Sequence, residues 1–144
     1  MNDWKHHRST FRHYRAAGNI RSARHELLKA IELLPASEMR ELSGLFNQLA
    51  KVCLEARDTV ASELAARNAI KAEIQYGFPP AESDSLAANR VMLAQALEQQ
   101  GKYMEALLEL DLGIKGFLLH HDADDQLKQN LAVLREELVN NRWR

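Results

Sequence analysis

Leu97…Gly101-Lys102-Tyr103…Ala106…Leu110…Gly113 sets a turn residue four positions after a bulky one, a small residue five further on, and apolar or small residues after that. The same spacing recurs as Tyr14…Gly18…Ala23…Leu27…Ala30…Pro35, and more faintly as Cys53…Arg57…Ser62…Ala66…Ala69. Two antiparallel helices need this pattern to cross closely and bury a shared seam. Outside these stretches, Leu and Ala dominate, β-branched residues are sparse, and Pro and Gly fall between apolar-periodic segments. No stretch reads as a strand, and the expected class is all-α.

The 144 residues suffice for one domain with a continuous core, expected to span residues 1–144. Seven helices are expected. The first runs from about Asp3 to Ala17 and stops at Gly18-Asn19; the second runs from Ile20 to Leu34 and is closed by Pro35. Ser37 is the expected cap of a third helix, whose apolar face Met39, Leu42, Leu45, Phe46, Leu49, Val52 and Cys53 ends near Ala56. Asp58 caps the fourth, which runs to Tyr76 and Gly77, and Phe78-Pro79-Pro80 reads as a linker. The fifth follows Ser83-Asp84-Ser85 and the sixth begins at Tyr103. Asp122, Asp124 and Asp125 suit the start of a seventh, with Leu127, Leu131, Leu134 and Leu138 in one stripe.

The chain resembles the tetratricopeptide (TPR) repeat family in three copies. The first copy supplies His7, Thr10, Phe11, Tyr14, Ala23, Leu27 and Pro35; the second supplies Phe46, Leu49, Ala50, Cys53, Ser62, Ala66 and Ile74. In the third, the best of them, Arg90, Leu93, Ala94, Leu97, Ala106 and Leu110 match, and Leu118 stands where Pro is expected. The turn positions are 39 and 44 residues apart, against roughly 34 in the family, so the helices or linkers are longer. Phe11 places a ring where a small residue normally lets the helices approach, so either the first pair opens or the register shifts there. The resemblance implies hairpins stacked as a short superhelix, with repeats at about 3–35, 37–77 and 84–119. A capping helix at about 122–142 would cover the exposed end of the array.

Charge is uneven along the chain. Residues 1–30 hold seven basic side chains and two acidic ones, a balance of +5; with the whole chain at −1, the remainder carries −6. Lys5, Arg8, Arg12 and Arg15 step by three, four and three and form one helical stripe, beside a second of Trp4, His7, Phe11 and Tyr14 that is expected to face the partner helix. The family resemblance implies that the first helix of each pair lines a concave groove. Its lining would be Lys5, Arg8, Arg12 and Arg15, then Asn47 and Lys51, then Val91, Gln95 and Glu98. The family's clamp for a C-terminal carboxylate also takes basic residues from the third repeat, where this chain has Ala88 and Met92. A basic stripe can equally be a solvated face, or pair with acids such as Glu38, Glu41 or Glu55.

The functional expectation is a protein-protein interaction module (adaptor, assembly factor or chaperone-like) that holds a partner segment, acidic in character, in the groove. The alternative is a nucleic-acid or phospho-ligand binding regulator using the basic N-terminal hairpin. The pI near 6.6 and the burial expected for the aromatic rings count against the latter. A homo-oligomer is compatible with either. An enzyme is not expected: there is no glycine-rich phosphate loop or recognisable carboxylate pair, and no cofactor is implied. Cys53 reads as a buried structural thiol. His6-His7 with His13, and His120-His121 near Asp122 and Asp124, lack metal-ligand spacing, so no metal is expected. With a lone cysteine, no apolar leader core and no run of bilayer length, a cytoplasmic location is expected.

Overall fold

Three turns of one design join the helices in pairs. The computed structural model describes residues 3–77, 84–120 and 125–141, and shows side chains for all of these except residues 118–120, 125, 127 and 141. Among the described residues there are seven α-helices, one 3-10 segment and no strand. The helices are α1 (Trp4–Ala16), α2 (Ile20–Leu33), α3 (Leu42–Glu55), α4 (Thr59–Tyr76), α5 (Asp84–Gln99), α6 (Tyr103–His120) and α7 (Asp125–Asn141).

The pairs α1–α2, α3–α4 and α5–α6 are each joined by three residues, the middle one left-handed: Gly18 (φ 79°), Arg57 (φ 61°) and Gly101 (φ 77°). Each turn closes the same way. The amide after the left-handed residue donates to the carbonyl five residues back: Asn19 to Tyr14 at 2.9 Å, Asp58 to Cys53 at 2.9 Å, Lys102 to Leu97 at 3.0 Å. The left-handed residue's own amide donates three back, to Arg15, Leu54 and Glu98. These paired bonds satisfy carbonyls that a helix end leaves open. The residue that ends one helix then starts the next. Asn19 Oδ1 accepts from the Ser22 amide and Asp58 Oδ1 from the Ala61 amide, both at 3.2 Å. The carbonyls of Asn19, Asp58 and Lys102 accept from the amides of Ala23, Ser62 and Ala106, each at 3.0 Å.

Those three small residues are fully buried, as are Leu27, Ala66 and Leu110 one turn later. Turns this short force each pair antiparallel, and a side chain no larger than Ser lets the backbones close. Ser62 adds a buried bond from its Oγ to the Ala50 carbonyl at 2.8 Å. At the third seam, a Cβ on Gly113 would stand 3.0 Å from Val91 Cγ2 and 3.1 Å from the Ala87 carbonyl oxygen. Each helix also packs on its chain neighbours, and α3 reaches α5, so one core runs from Trp4 to Leu138.

Two expectations need correction. The third helix does not begin at Ser37. Ala36–Glu41 is a 3-10 segment interrupted at Glu38 (φ −121°, ψ 24°), and α3 starts at Leu42 with no side-chain cap. The Glu38 carboxylate is instead engaged by α1, where Trp4 and Lys5 take it. Tyr14 is not turned into a seam: it is 36% exposed, while Trp4 and Phe11 are buried. Its counterpart Cys53 is buried and borders a hollow with Arg24 and Leu28 of the preceding hairpin. Phe11 is fully buried, although Ala50 and Ala94 occupy its place in α3 and α5. On α7, Leu131 and Leu138 are buried and Leu134 packs against the core, as a covering helix requires. Leu127's side chain, the expected linker at 78–80, and Asp122 and Asp124 lie outside what is described.

Candidate functional site

The basic stripe on α1 begins at Asp3, whose carboxylate caps the helix by accepting from the His6 amide at 2.9 Å. The helix thus started sends Trp4 and Phe11 inward and places Lys5, Arg8, Arg12 and Arg15 along its flank. Trp4 Nε1 donates to Glu38 Oε2 at 2.5 Å. The Arg8 guanidinium lies 4.6 Å from the Trp4 ring centroid and the Lys5 ammonium 6.0 Å from it, so the ring face is also used. Behind the stripe, His7 Nδ1 and Glu26 Oε2 are 2.5 Å apart and join α1 to α2.

Three of the four cations are matched by acids across the next element. Lys5 pairs with Glu38 at 3.8 Å, Arg8 with Glu41 at 4.0 Å, and Arg15 with Glu55. Arg12, one turn before Arg15, is exposed and makes no ion pair among the described residues. Lys51, one turn before Glu55, is likewise exposed and unpaired among them. The Arg8–Glu41 and Arg15–Glu55 pairs bracket these two cations from both ends. At exposed sites such pairs contribute little to stability, and here they fix where charge remains unspent.

The other expected groove residues are less open. Asn47 Nδ2 donates to Asn89 Oδ1 at 2.7 Å, and Asn89 Nδ2 donates to Ser43 Oγ at 2.8 Å. Asn89 is 2% exposed, so it bonds α5 to α3 from within the core, through the Ser43 hydroxyl and the half-buried Asn47 amide. Val91, Gln95 and Glu98 line a crevice of about 10 Å³ with Leu134 and Leu138, so α7 covers that end of the stripe. The structure therefore brings Arg12 and Lys51 to the open surface, and gives Lys5, Arg8, Arg15, Asn47 and Gln95 packing or pairing neighbours.

Residues not singled out from sequence tie the hairpins together. Glu63 accepts from Arg67 Nε at 2.9 Å, Gln100 Nε2 at 2.9 Å and Lys102 Nζ at 3.2 Å. Burial pushes the Glu63 carboxyl up, but those three donors outweigh it and hold it below its ordinary range. The Asp58 carboxyl is lowered by the Ala61 amide first and by Arg24 second, whose guanidinium is 3.0 Å away. Spacing on one helix could reveal Glu63–Arg67; the partners Gln100 and Lys102, from the turn between α5 and α6, have no such signal.

Burial raises the Cys53 thiol, which is unfavourable for a thiolate nucleophile. No group of three His, Cys, Asp or Glu side chains is placed to hold a metal among the described residues, and His121, Asp122 and Asp124 lie outside them. No helix among the described residues is long and apolar enough to cross a membrane. No protein-family model matches the chain, and no curated protein matches its sequence.

Proposed function

We propose that this chain is a TPR-like protein-protein interaction module, of the adaptor, assembly-factor or chaperone-like kind. Its three hairpins stack so that α1, α3 and α5 line one face, and α7 closes the end. An acidic stretch of a partner lies across α1 and α3, with its carboxylates between Arg12 and Lys51. The observation that carries this reading is the selective pairing along the stripe. Lys5, Arg8 and Arg15 are spent on Glu38, Glu41 and Glu55, while Arg12 and Lys51, at the same position of their repeats, remain exposed and unpaired among the described residues.

The nucleic-acid reading loses support from the same pairing. Of the seven basic residues in the first thirty, Lys5, Arg8, Arg15, Arg24 and Lys29 face acids within the chain. That leaves Arg12 and Arg21, a small footprint for a phosphate backbone.

Titration with a labelled peptide rich in Glu and Asp tests the proposal, against a neutral peptide and a single-stranded oligonucleotide of matched length. Arg12→Glu with Lys51→Glu should abolish acidic-peptide binding and leave the helical signal unchanged. Lys71→Glu with Lys128→Glu, at exposed sites elsewhere, should reduce it far less. Equal losses from both double variants, or binding of the oligonucleotide in preference to the peptide, would overturn the proposal.

A further inference from the structure

The face of α6 turned away from the Ala106–Leu110–Gly113 seam is apolar too. Met104, Leu108 and Leu112 recur every four residues and are 56%, 65% and 48% exposed. They form one stripe, because every fourth residue of a helix returns to nearly the same side. On α4, Val60 and Leu64 are 70% and 62% exposed and share a helix face with Glu63 and Arg67. Glu63 meets Lys102 at 3.2 Å and Arg67 meets Glu105 at 3.7 Å, so this face lies beside the start of α6. The Met104, Leu108 and Leu112 stripe, with Val60 and Leu64 also exposed on α4, is the kind of apolar surface that marks an interface.

We infer that this face binds a second copy of the chain, with the two α6 helices antiparallel about a two-fold axis near Leu110. The argument is self-complementarity, which an isologous interface requires. Beside the stripe, Leu108, Leu112, Ile114 and the stems of Lys115 and Arg135 border an open, largely apolar hollow of about 690 Å³. The α6 face thus carries the projecting Leu side chains, and with Arg135 of α7 it borders the hollow beside them. In antiparallel register centred on residue 110, Leu108 of each copy meets Leu112 of the other. The same register sets Glu105 of each copy opposite Lys115 of the other, giving two opposite-charge pairs at the rim. Among the described residues, exposed Lys115 has no ion-pair partner and Glu105 has only the long contact to Arg67. The nearby Asp111 is matched within the chain by Arg135 at 2.8 Å, so it adds no unmatched charge to the contact. This face is distinct from the one carrying Arg12 and Lys51, so the two proposals stand or fall separately.

Sedimentation velocity on the full chain from low to high micromolar concentration tests the inference. The expected result is a monomer-dimer equilibrium, converted to monomer by Leu108→Glu with Leu112→Glu while far-UV ellipticity is retained. Charge exchange then tests the register. Glu105→Lys alone and Lys115→Glu alone should each weaken the dimer by up to about tenfold, and the two together should restore it, because each swapped pair is again opposite in sign. A monomer at every concentration would overturn the inference. So would a dimer indifferent to the Leu changes, or a double exchange no better than the single ones.

Discussion

The first and third hairpins close with the same turn and carry a polar pair at the same place, and they differ in what fills the seam between the helices. Gly18 and Gly101 adopt nearly the same left-handed geometry and the same pair of bonds. His7 meets Glu26 in the first hairpin and Arg90 meets Glu109 in the third, and the first seam holds a fully buried ring, Phe11. Beyond the third turn, α5 and α6 close on small residues, with Ala106 fully buried and Gly113 and Gly116 both within 3.0 Å of a side chain if given a Cβ. A turn fixes which helices meet, and the residues on either side of it decide whether the seam closes on a ring or on small side chains. Shape is unforgiving, whereas an exposed or half-exposed charge pair can loosen at small cost.

The largest effect should come from overfilling the third seam. Ala106→Phe, or Gly113→Leu against Val91 and Ala87, should destabilise by about 1–3 kcal/mol, read as a clear fall in melting temperature. In the first hairpin, Glu26→Gln removes the charge opposite His7 and should cost less than about 1 kcal/mol. Similar losses from the two changes would mean that the packed seam is no less forgiving than the polar pair beside it.

The turns provide a second comparison, in which the sign reverses. Arg57 holds a left-handed backbone that glycine adopts freely, so Arg57→Gly should stabilise by up to about 1 kcal/mol. Gly18→Ala and Gly101→Ala should each destabilise by about as much. Nothing lies within 4 Å of a Cβ at either glycine, so that loss would report backbone strain alone. Denaturant midpoints for the three variants check the order.

A smaller effect is expected from acid. The Asp58 carboxyl is lowered in the fold by the Ala61 amide and Arg24, so its contribution is present above the ordinary carboxylate range and fades as pH falls through its lowered value. Asp58→Asn keeps an oxygen for the cap but no charge, and should flatten the acid limb of melting temperature against pH. Lys102 holds the equivalent place in the third turn, where no such carboxylate exists. An unchanged acid limb would assign the pH dependence to other groups.

Local geometry was the legible part of this sequence. The turns at 18, 57 and 101, and the buried Ala23, Ser62 and Ala106, follow from spacing within one hairpin. Features that depend on what covers a face did not. The family resemblance implies a groove-lining flank for Gln95 and Asn47, but α7 covers one and Asn89 bonds the other across helices distant in sequence. The start of α3 was misplaced because Glu38 is claimed by Trp4, 34 residues away. The exposed stripe of α6 was hidden by the helix's apolar richness: with Leu at 107, 108, 110 and 112, periodicity identifies the buried side and leaves the exposed one unremarked.

The central claim is that equivalent positions of successive hairpins lie side by side, so that Arg12 and Lys51 share one surface. Paired spin labels at Arg12→Cys and Lys51→Cys, in a Cys53→Ala background, measure this directly. The Arg15–Glu55 ion pair brings α1 and α3 within side-chain reach of each other one turn away, so the frozen-solution spectrum should be broadened by dipolar coupling relative to either single label. A doubly labelled spectrum equal to the sum of the two single ones would mean that α1 and α3 do not present a common face, and would contradict the account.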